Sequence, residues 1–226
     1  MNASIQKDML LYFDERAEEY DDIYVGKGPA IQHYGGMYIK DFTQIGESVS
    51  KFGGKHLIDI ACGTAYWTPF YAPKCDEITC LDQSTNMLSQ AQTRIKDQNL
   101  KPPNFIHADF FDIDLGTDVF DRAFVSILLS HFSRDQEKTF FERLKQILQP
   151  GGELMVVDSL WSPRRSKYRK QEGVEKRVIK DGRKFKVFKR YLDQRGMARL
   201  LQSHGFTINS LYVGDMLLAI RAVGPS

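Results

Sequence analysis

The chain has 226 residues, 42% of them hydrophobic and 27% charged, with a formal net charge of +2. This predicts one globular domain with a sizeable core and at most a small appendage, and it argues against two full domains. Cys62, Cys75 and Cys80 follow no disulfide or zinc spacing, the start MNASIQKDML lacks the apolar core of a signal peptide, and no stretch approaches the roughly eighteen apolar residues of a membrane span, so a soluble protein of the reducing cytoplasm is expected.

In chain order, the first strand is predicted over His56 to Ala61, inside the stretch LIDIACGTAYWT, Leu57 to Thr68. Leu57, Ile58 and Ile60 supply the apolar run of a strand covered on both faces, and Asp59 interrupts it near its end. A nicotinamide-binding loop spaces three glycines so that backbone can approach a pyrophosphate. Here the matching positions are Ala61, Gly63 and Ala65 or Tyr66, a poor seat for that group. A second strand is expected over Glu77 to Asp82, then a helix from Ser84 to Asn99 with Ser84 as cap and Met87, Leu88, Ala91 and Ile95 on one face, stopped by Pro102 and Pro103. Strands follow at Asn104 to Asp109, Phe120 to Ile127 and Glu153 to Asp158, with a helix from Ser133 to Leu148 that is halted by Pro150 to Gly152. Such alternation implies a parallel sheet with helices on both faces. The chain ends differently: a helix over Asp193 to His204 is closed by Gly205 and followed by FTINSLYV, a turn at Gly214 and Asp215, and MLLAIRAV, two strands joined so tightly that they must be antiparallel.

With these features in order from about Leu57 to Val223, the chain resembles a class I S-adenosylmethionine-dependent methyltransferase of the small-molecule type. The resemblance implies an α/β, Rossmann-like, mostly parallel sheet of seven strands, the last antiparallel. FDERAEEYDDIY, Phe13 to Tyr24, is similar to the lid-forming start of many members, so residues 1–50 are expected to form a helical lid, with Tyr20 among the cofactor contacts, on a methyltransferase domain spanning 51–226. DIACGT resembles a variant of the family's glycine-rich loop, which would bring Ala61, Cys62, Gly63 and Thr64 to the methyl donor. S-adenosylmethionine has no phosphates, and one well-placed glycine can bring backbone close to it.

Asp59 is expected near the donor's ammonium, with the alternative that it only organises loop amides. Asp82, 23 positions further on, lies about where an acidic residue of an adenosine site accepts both ribose hydroxyls, and Gln83 follows it. Met87 resembles the position that packs on the adenine ring, although a methionine at helical spacing is as often core. In the family, the position of Asp109 accepts the adenine amino group and that of Phe110 offers a backbone contact. Ser126 to Ser130 should line the donor, and His131 follows where members often carry a histidine facing the acceptor, as a general base or as a residue holding the turn. No metal-ligand spacing links the histidines, and no metal is expected.

Charge is uneven. From Pro163 to Arg190 there are thirteen Lys or Arg against three acids, so the rest of the chain is net negative by eight. This region, about 162–191, reads as a basic β-hairpin inserted around Asp181 and Gly182. It suits an anionic small-molecule acceptor, a nucleic acid, or a solvated hairpin facing the acidic DERAEEYDD segment. Three functions follow: a methyltransferase for a small molecule at oxygen or nitrogen, which leads; one for RNA or protein; and a binding module of the same fold without turnover. The acceptor is expected to be a small molecule, with no stable nucleic-acid or membrane partner.

Overall fold

A computed structural model describes residues 2–28 and 34–226. Asn2 caps the first helix, α1 (Ala3–Glu15), by accepting the Ser4 amide at 2.8 Å, and a 3-10 segment, Ala17–Ile23, continues from it. The remaining elements are α2 (Gly35–Val49), β1 (His56–Ile60), α3 (Thr68–Tyr71), β2 (Glu77–Asp82), α4 (Thr85–Asp97), β3 (Asn104–His107), β4 (Phe120–Ser126), α5 (Arg134–Ile147), β5 (Leu148–Ser159), β6 (Glu172–Val178), β7 (Lys184–Arg190), α6 (Gln194–Ser203), β8 (Thr207–Val213) and β9 (Leu217–Val223). Ser84 caps α4 as expected, its Oγ accepting the Met87 amide; Ser133 forms a reciprocal capping box with Gln136, and Asp193 caps α6 by accepting the Gly196 amide.

Seven strands form one sheet in the order β3-β2-β1-β4-β5-β9-β8, parallel except where β9 runs against β5 and β8. This is the expected mostly parallel sheet with an antiparallel terminal pair. Several boundaries moved. The Pro150–Gly152 turn lies within β5, because Leu148 already pairs with Phe120 before a register shift, and β3 stops at His107 rather than Asp109.

The strands are buried on both faces. Ile58, Ile60, Val125 and Val156 pack with Phe140 and Leu144 of α5 and Leu201 of α6; Leu57, Phe124 and Val157 pack with Phe42, Ile45 and Val49 of α2. α2 is fastened to the sheet by Asp41, which is fully buried and accepts the amides of Met216 at 2.7 Å and Leu217 at 2.9 Å. Gly214 is required at that turn, since a Cβ there would lie 2.1 Å from an Asp41 oxygen. β6 and β7 form a separate antiparallel hairpin, against which α1 packs through Tyr12 and Phe185, ring centroids 5.8 Å apart. In the sheet, β1 has β2 on one side and β4 on the other, so the loops after these strands diverge and open a crevice at their carboxyl ends.

Candidate active site

Two adjoining cavities occupy that crevice. The larger, about 600 Å³, is walled by the loops after β1, β2, β3 and β4 and by α1. Its floor is the turn after β1, where Ala61, Gly63 and Ala65 all take positive φ, at 59°, 55° and 54°. Only one of the three is a glycine, so the alanines hold a conformation that costs an L-residue about 1 kcal/mol or more. Gly63 leaves the floor open, with nothing closer than 4.0 Å to the place of a Cβ.

Asp82 fixes this turn to the next one. Its two oxygens accept the Gly63 amide at 2.8 Å and the Ser84 amide at 2.9 Å. Burial pushes its carboxyl up, and those amides pull it back down. A carboxylate offers about four lone-pair positions, so roughly two stay free for a ligand in the cavity. α1 reaches the same place: Asp14 accepts the Ser84 hydroxyl at 2.6 Å and the Asn86 side-chain amide at 2.9 Å.

Of the residues expected at the donor, Ala61, Gly63, Asp82, Gln83, Met87, Asp109, Phe110, Ser126 and Tyr20 all line this cavity, and so does His131. Asp59, Cys62 and Thr64 do not. Asp59 is buried beneath the loop, accepting the Tyr71 hydroxyl at 2.5 Å, and burial lifts it to about 7 against that bond, with the nearby Asp82 adding to the rise. The Cys62 thiol lies against Cys80, and that contact and burial push it well above its ordinary range. Thr64 is buried away from the cavity, donating to Asp21 at 2.6 Å, and Arg94 bonds both Asp21 and the Thr64 carbonyl. Asp59, expected at the donor's ammonium, lies off the cavity wall with its carboxylate on the Tyr71 hydroxyl, and Thr64 ties the N-terminal segment to α4.

The second cavity is smaller, about 80 Å³, and meets the first across Phe13, Tyr20, Ile127 and His131. Ile127 holds φ at 52°, a strained value for a β-branched residue, at the exit of β4 where both cavities touch it. His131 Nδ1 lies 3.0 Å from the Phe188 carbonyl oxygen. A carbonyl only accepts, so Nδ1 carries the proton and Nε2 presents a lone pair. Burial first, then the charges of Lys189, Arg177 and Arg16, hold the imidazole well below its usual pKa, against the Phe188 carbonyl, so it stays neutral at pH 7. Tyr20 is pushed up to about 12 by burial against the pull of Arg16 and remains a hydroxyl donor.

Five cationic side chains, Arg16, Arg165, Arg169, Arg177 and Lys189, line the smaller cavity. None was singled out from the sequence. A signal was there: in KFKVFKR, Phe185, Val187 and Lys189 share one face of β7, which places a lysine among apolar neighbours. The outer side of the hairpin behaves differently. Arg183 lies 2.8 Å from Glu15 and Lys180 lies 2.8 Å from Asp22, so this side is partly paired with the acidic N-terminal segment.

Residues 57–152 match the family described as "Methyltransferase domain". Over that stretch the chain is similar to methyltransferases. Curated relatives include the demethylmenaquinone methyltransferase of Bacillus subtilis (strain 168), 28% identical over 109 residues that make up 47% of this chain and 46% of that protein. That of Listeria welshimeri is 27% identical over a stretch of the same length. The chain thus spans about half the length of the curated relatives it matches. Among solved structures, one described as a DhpI-SAM-HEP complex superposes with a TM-score of 0.78 at 24% identity, and a DhpI-SAH complex with 0.74 at 23%, each covering both chains completely. They share this methyltransferase fold. Among the described residues, no helix is long and apolar enough to cross a membrane and no His, Cys, Asp and Glu cluster could hold a metal ion.

Proposed function

We propose that the protein is a cytoplasmic S-adenosylmethionine-dependent methyltransferase that methylates a small molecule of anionic character at oxygen or nitrogen. The observation that carries this reading is the junction of the two cavities, one edged by Asp14, Asp82 and Asp109 and the other by cations, with His131 on the wall between them. The larger cavity falls within the range of roughly 300 to 1,000 Å³ usual for such ligands. Its residues fit the donor: Asp82 keeps lone pairs for ribose hydroxyls, Met87 is placed to pack on the adenine, Asp109 and Phe110 close the adenine end, and the open face of Gly63 admits the ligand to the loop backbone. α1 and the segment after it act as the lid, and the β6–β7 hairpin walls the acceptor.

When bound, S-adenosylmethionine supplies a methyl carbon on a sulfonium, whose C–S electron pair returns to sulfur as the acceptor's lone pair forms the new bond. The protein's part is alignment, worth several orders of magnitude in rate when reacting atoms are held in line. His131 Nε2 accepts the proton of a hydroxyl or amine acceptor, or hydrogen-bonds to it and fixes its direction. The named relatives act on demethylmenaquinone, whose quinone offers no counter-charge to five cations; this smaller cavity suits a compact polar acceptor.

Calorimetry with S-adenosylmethionine, S-adenosylhomocysteine and NAD tests the donor, and a turnover screen across metabolite classes, with the methylated atom located by mass and position, tests the acceptor. Binding of the two sulfur nucleosides without NAD is expected. Tight NAD binding with neither nucleoside bound would sink the reading.

A further inference from the structure

The cations of the smaller cavity are not equivalent. Arg165 is spent on the scaffold: it donates to the carbonyls of Leu160 at 2.6 Å and Met216 at 2.7 Å. Arg177 lies 2.6 Å from Glu175, and Arg169 lies 3.6 Å from the same carboxylate. Arg16 and Lys189 differ, because neither forms an ion pair with a carboxylate among the described residues. Arg16 is 9% exposed, sandwiched with its guanidinium 4.9 Å from the ring centroids of both Tyr12 and Tyr20, and its Nε is buried with no hydrogen-bond partner. Lys189 is 6% exposed and gives one bond, to the Ser130 hydroxyl at 2.7 Å. The nearby Asp158 carboxylate is occupied with the amides of Ser130 and Ser159.

Burying cations without a paired counter-charge costs several kcal/mol each, and at Lys189 the Asp158 carboxylate, with no direct ion pair, offsets only part of that cost. The two come from opposite ends of the sequence, Arg16 just after α1 and Lys189 on β7, and they line the same small space. We propose that Arg16 and Lys189, backed by Arg177, form an oxyanion subsite that seats the carboxylate or phosphoryl group of a small acceptor and turns its nucleophilic atom toward His131. This rests on the methyltransferase reading and adds the means by which the acceptor is held. It also bears on His131, since an anion seated there offsets the three charges that depress the imidazole and makes it a better proton acceptor only when the acceptor is in place.

The test is calorimetric titration of the full chain with inorganic phosphate and, separately, with acetate, each with and without saturating S-adenosylhomocysteine. At least one anion should bind, and the stronger of the two identifies the head group as tetrahedral or planar. Lys189→Met and Arg16→Gln should each weaken that anion by about tenfold or more, as expected for loss of a charged partner. S-adenosylhomocysteine affinity should stay within about twofold, because neither residue lines the donor cavity. Lys189→Met keeps the stem and removes a buried charge, so it folds and carries the test even if Arg16→Gln, which also loses packing between two rings, does not. Absence of anion binding in wild type, or equal binding in wild type and Lys189→Met, overturns the subsite. Loss of nucleoside binding in wild type instead overturns the methyltransferase reading, and the titration without nucleoside still decides the subsite.

Discussion

The two cavities are built by opposite rules. The larger is lined mainly by the loops at the ends of neighbouring parallel strands, which bring Asp82 and Asp109, and is closed by α1, which brings Asp14. The smaller takes its charged groups from the segment after α1, the stretch beyond β5 and the hairpin, and all of them are cations. A donor carrying a sulfonium and an ammonium and an acceptor carrying an oxyanion would each find the opposite sign waiting, and His131 stands where the signs change. The sheet edge frames the larger cavity, and the appended segments frame the smaller one.

The comparison is broken most directly at the shared wall. His131→Ala should lower kcat by on the order of 100-fold, the lower end for a positioned acid or base, while donor affinity changes by less than about twofold. Its depressed pKa has a definite sign: the imidazole is already neutral above pH 6.5, so kcat should hold steady from there to pH 8 and fall only on the acid side. An unchanged kcat with a raised acceptor KM would instead make His131 a positioning residue. Next in size, Asp82→Ala should weaken S-adenosylhomocysteine by about 1.5 to 3 kcal/mol, since it removes a charged hydrogen-bond acceptor and the tie between two loops. Calorimetry reads this, with circular dichroism as the check on folding. Normal nucleoside binding by that variant would mean the larger cavity is misassigned.

Much of the larger cavity was legible because strand ends are. An apolar run that stops at Asp82, followed by Ser84 as a cap, specifies where a carboxylate must sit relative to the loop after β1, and the fold does the rest. Asp59 lies off the larger cavity because its partner is not local in pattern: Leu57 and Asp59 share the face that packs under α2, where the Tyr71 hydroxyl meets the carboxylate. Nothing in the spacing distinguishes that burial from a turn toward the ligand. The smaller cavity was invisible for a different reason. The basic run from Pro163 to Arg190 is visible as composition, but which of its charges face inward depends on the hairpin register, Gly173 opposite Lys189 and Arg177 opposite Phe185, and on α1 docking across it. That docking joins residues most of the chain apart.

A third, smaller effect sharpens the contrast through pH. Burial first, with Arg177 and Arg165 adding, pulls Lys189 down to about 7, against Asp158. The other groups facing it are Glu175 and His131, and the latter is neutral throughout this window. An anionic acceptor binds the ammonium form, so as pH rises through about 7 the competent fraction falls and the acceptor KM should rise several-fold between pH 7 and 8. Donor affinity should not follow, since Lys189 lies off the larger cavity. In Lys189→Arg, which stays charged, the slope should flatten. A wild-type KM independent of pH over this range would remove Lys189 from acceptor binding.

The smallest expected effect lies on the other face of the same strand. Lys184 and Lys186 alternate with Phe185, Val187 and Lys189 and are exposed to solvent, whereas Lys189 is buried. Exposed charges are screened beyond roughly 10 Å at 0.1 M salt, so reversing both to glutamate should change the acceptor KM by less than about twofold. Arg183 is a poorer choice for this purpose, because its reversal would set a like charge against Glu15 and Asp181. If the acceptor were instead a nucleic acid, the outer lysines would matter most: binding would fall steeply with salt, with a log–log slope near 0.9 per neutralised duplex phosphate or about 0.7 for single strands, and charge reversal would abolish it. RNA binding of wild type and of the Lys184→Glu, Lys186→Glu double variant across a salt series separates the two. A weak, shallow dependence that the outer reversal leaves alone is expected, because the hairpin directs its basic character in two directions, outward to water and acidic partners and inward, through Arg177 and Lys189, to the acceptor.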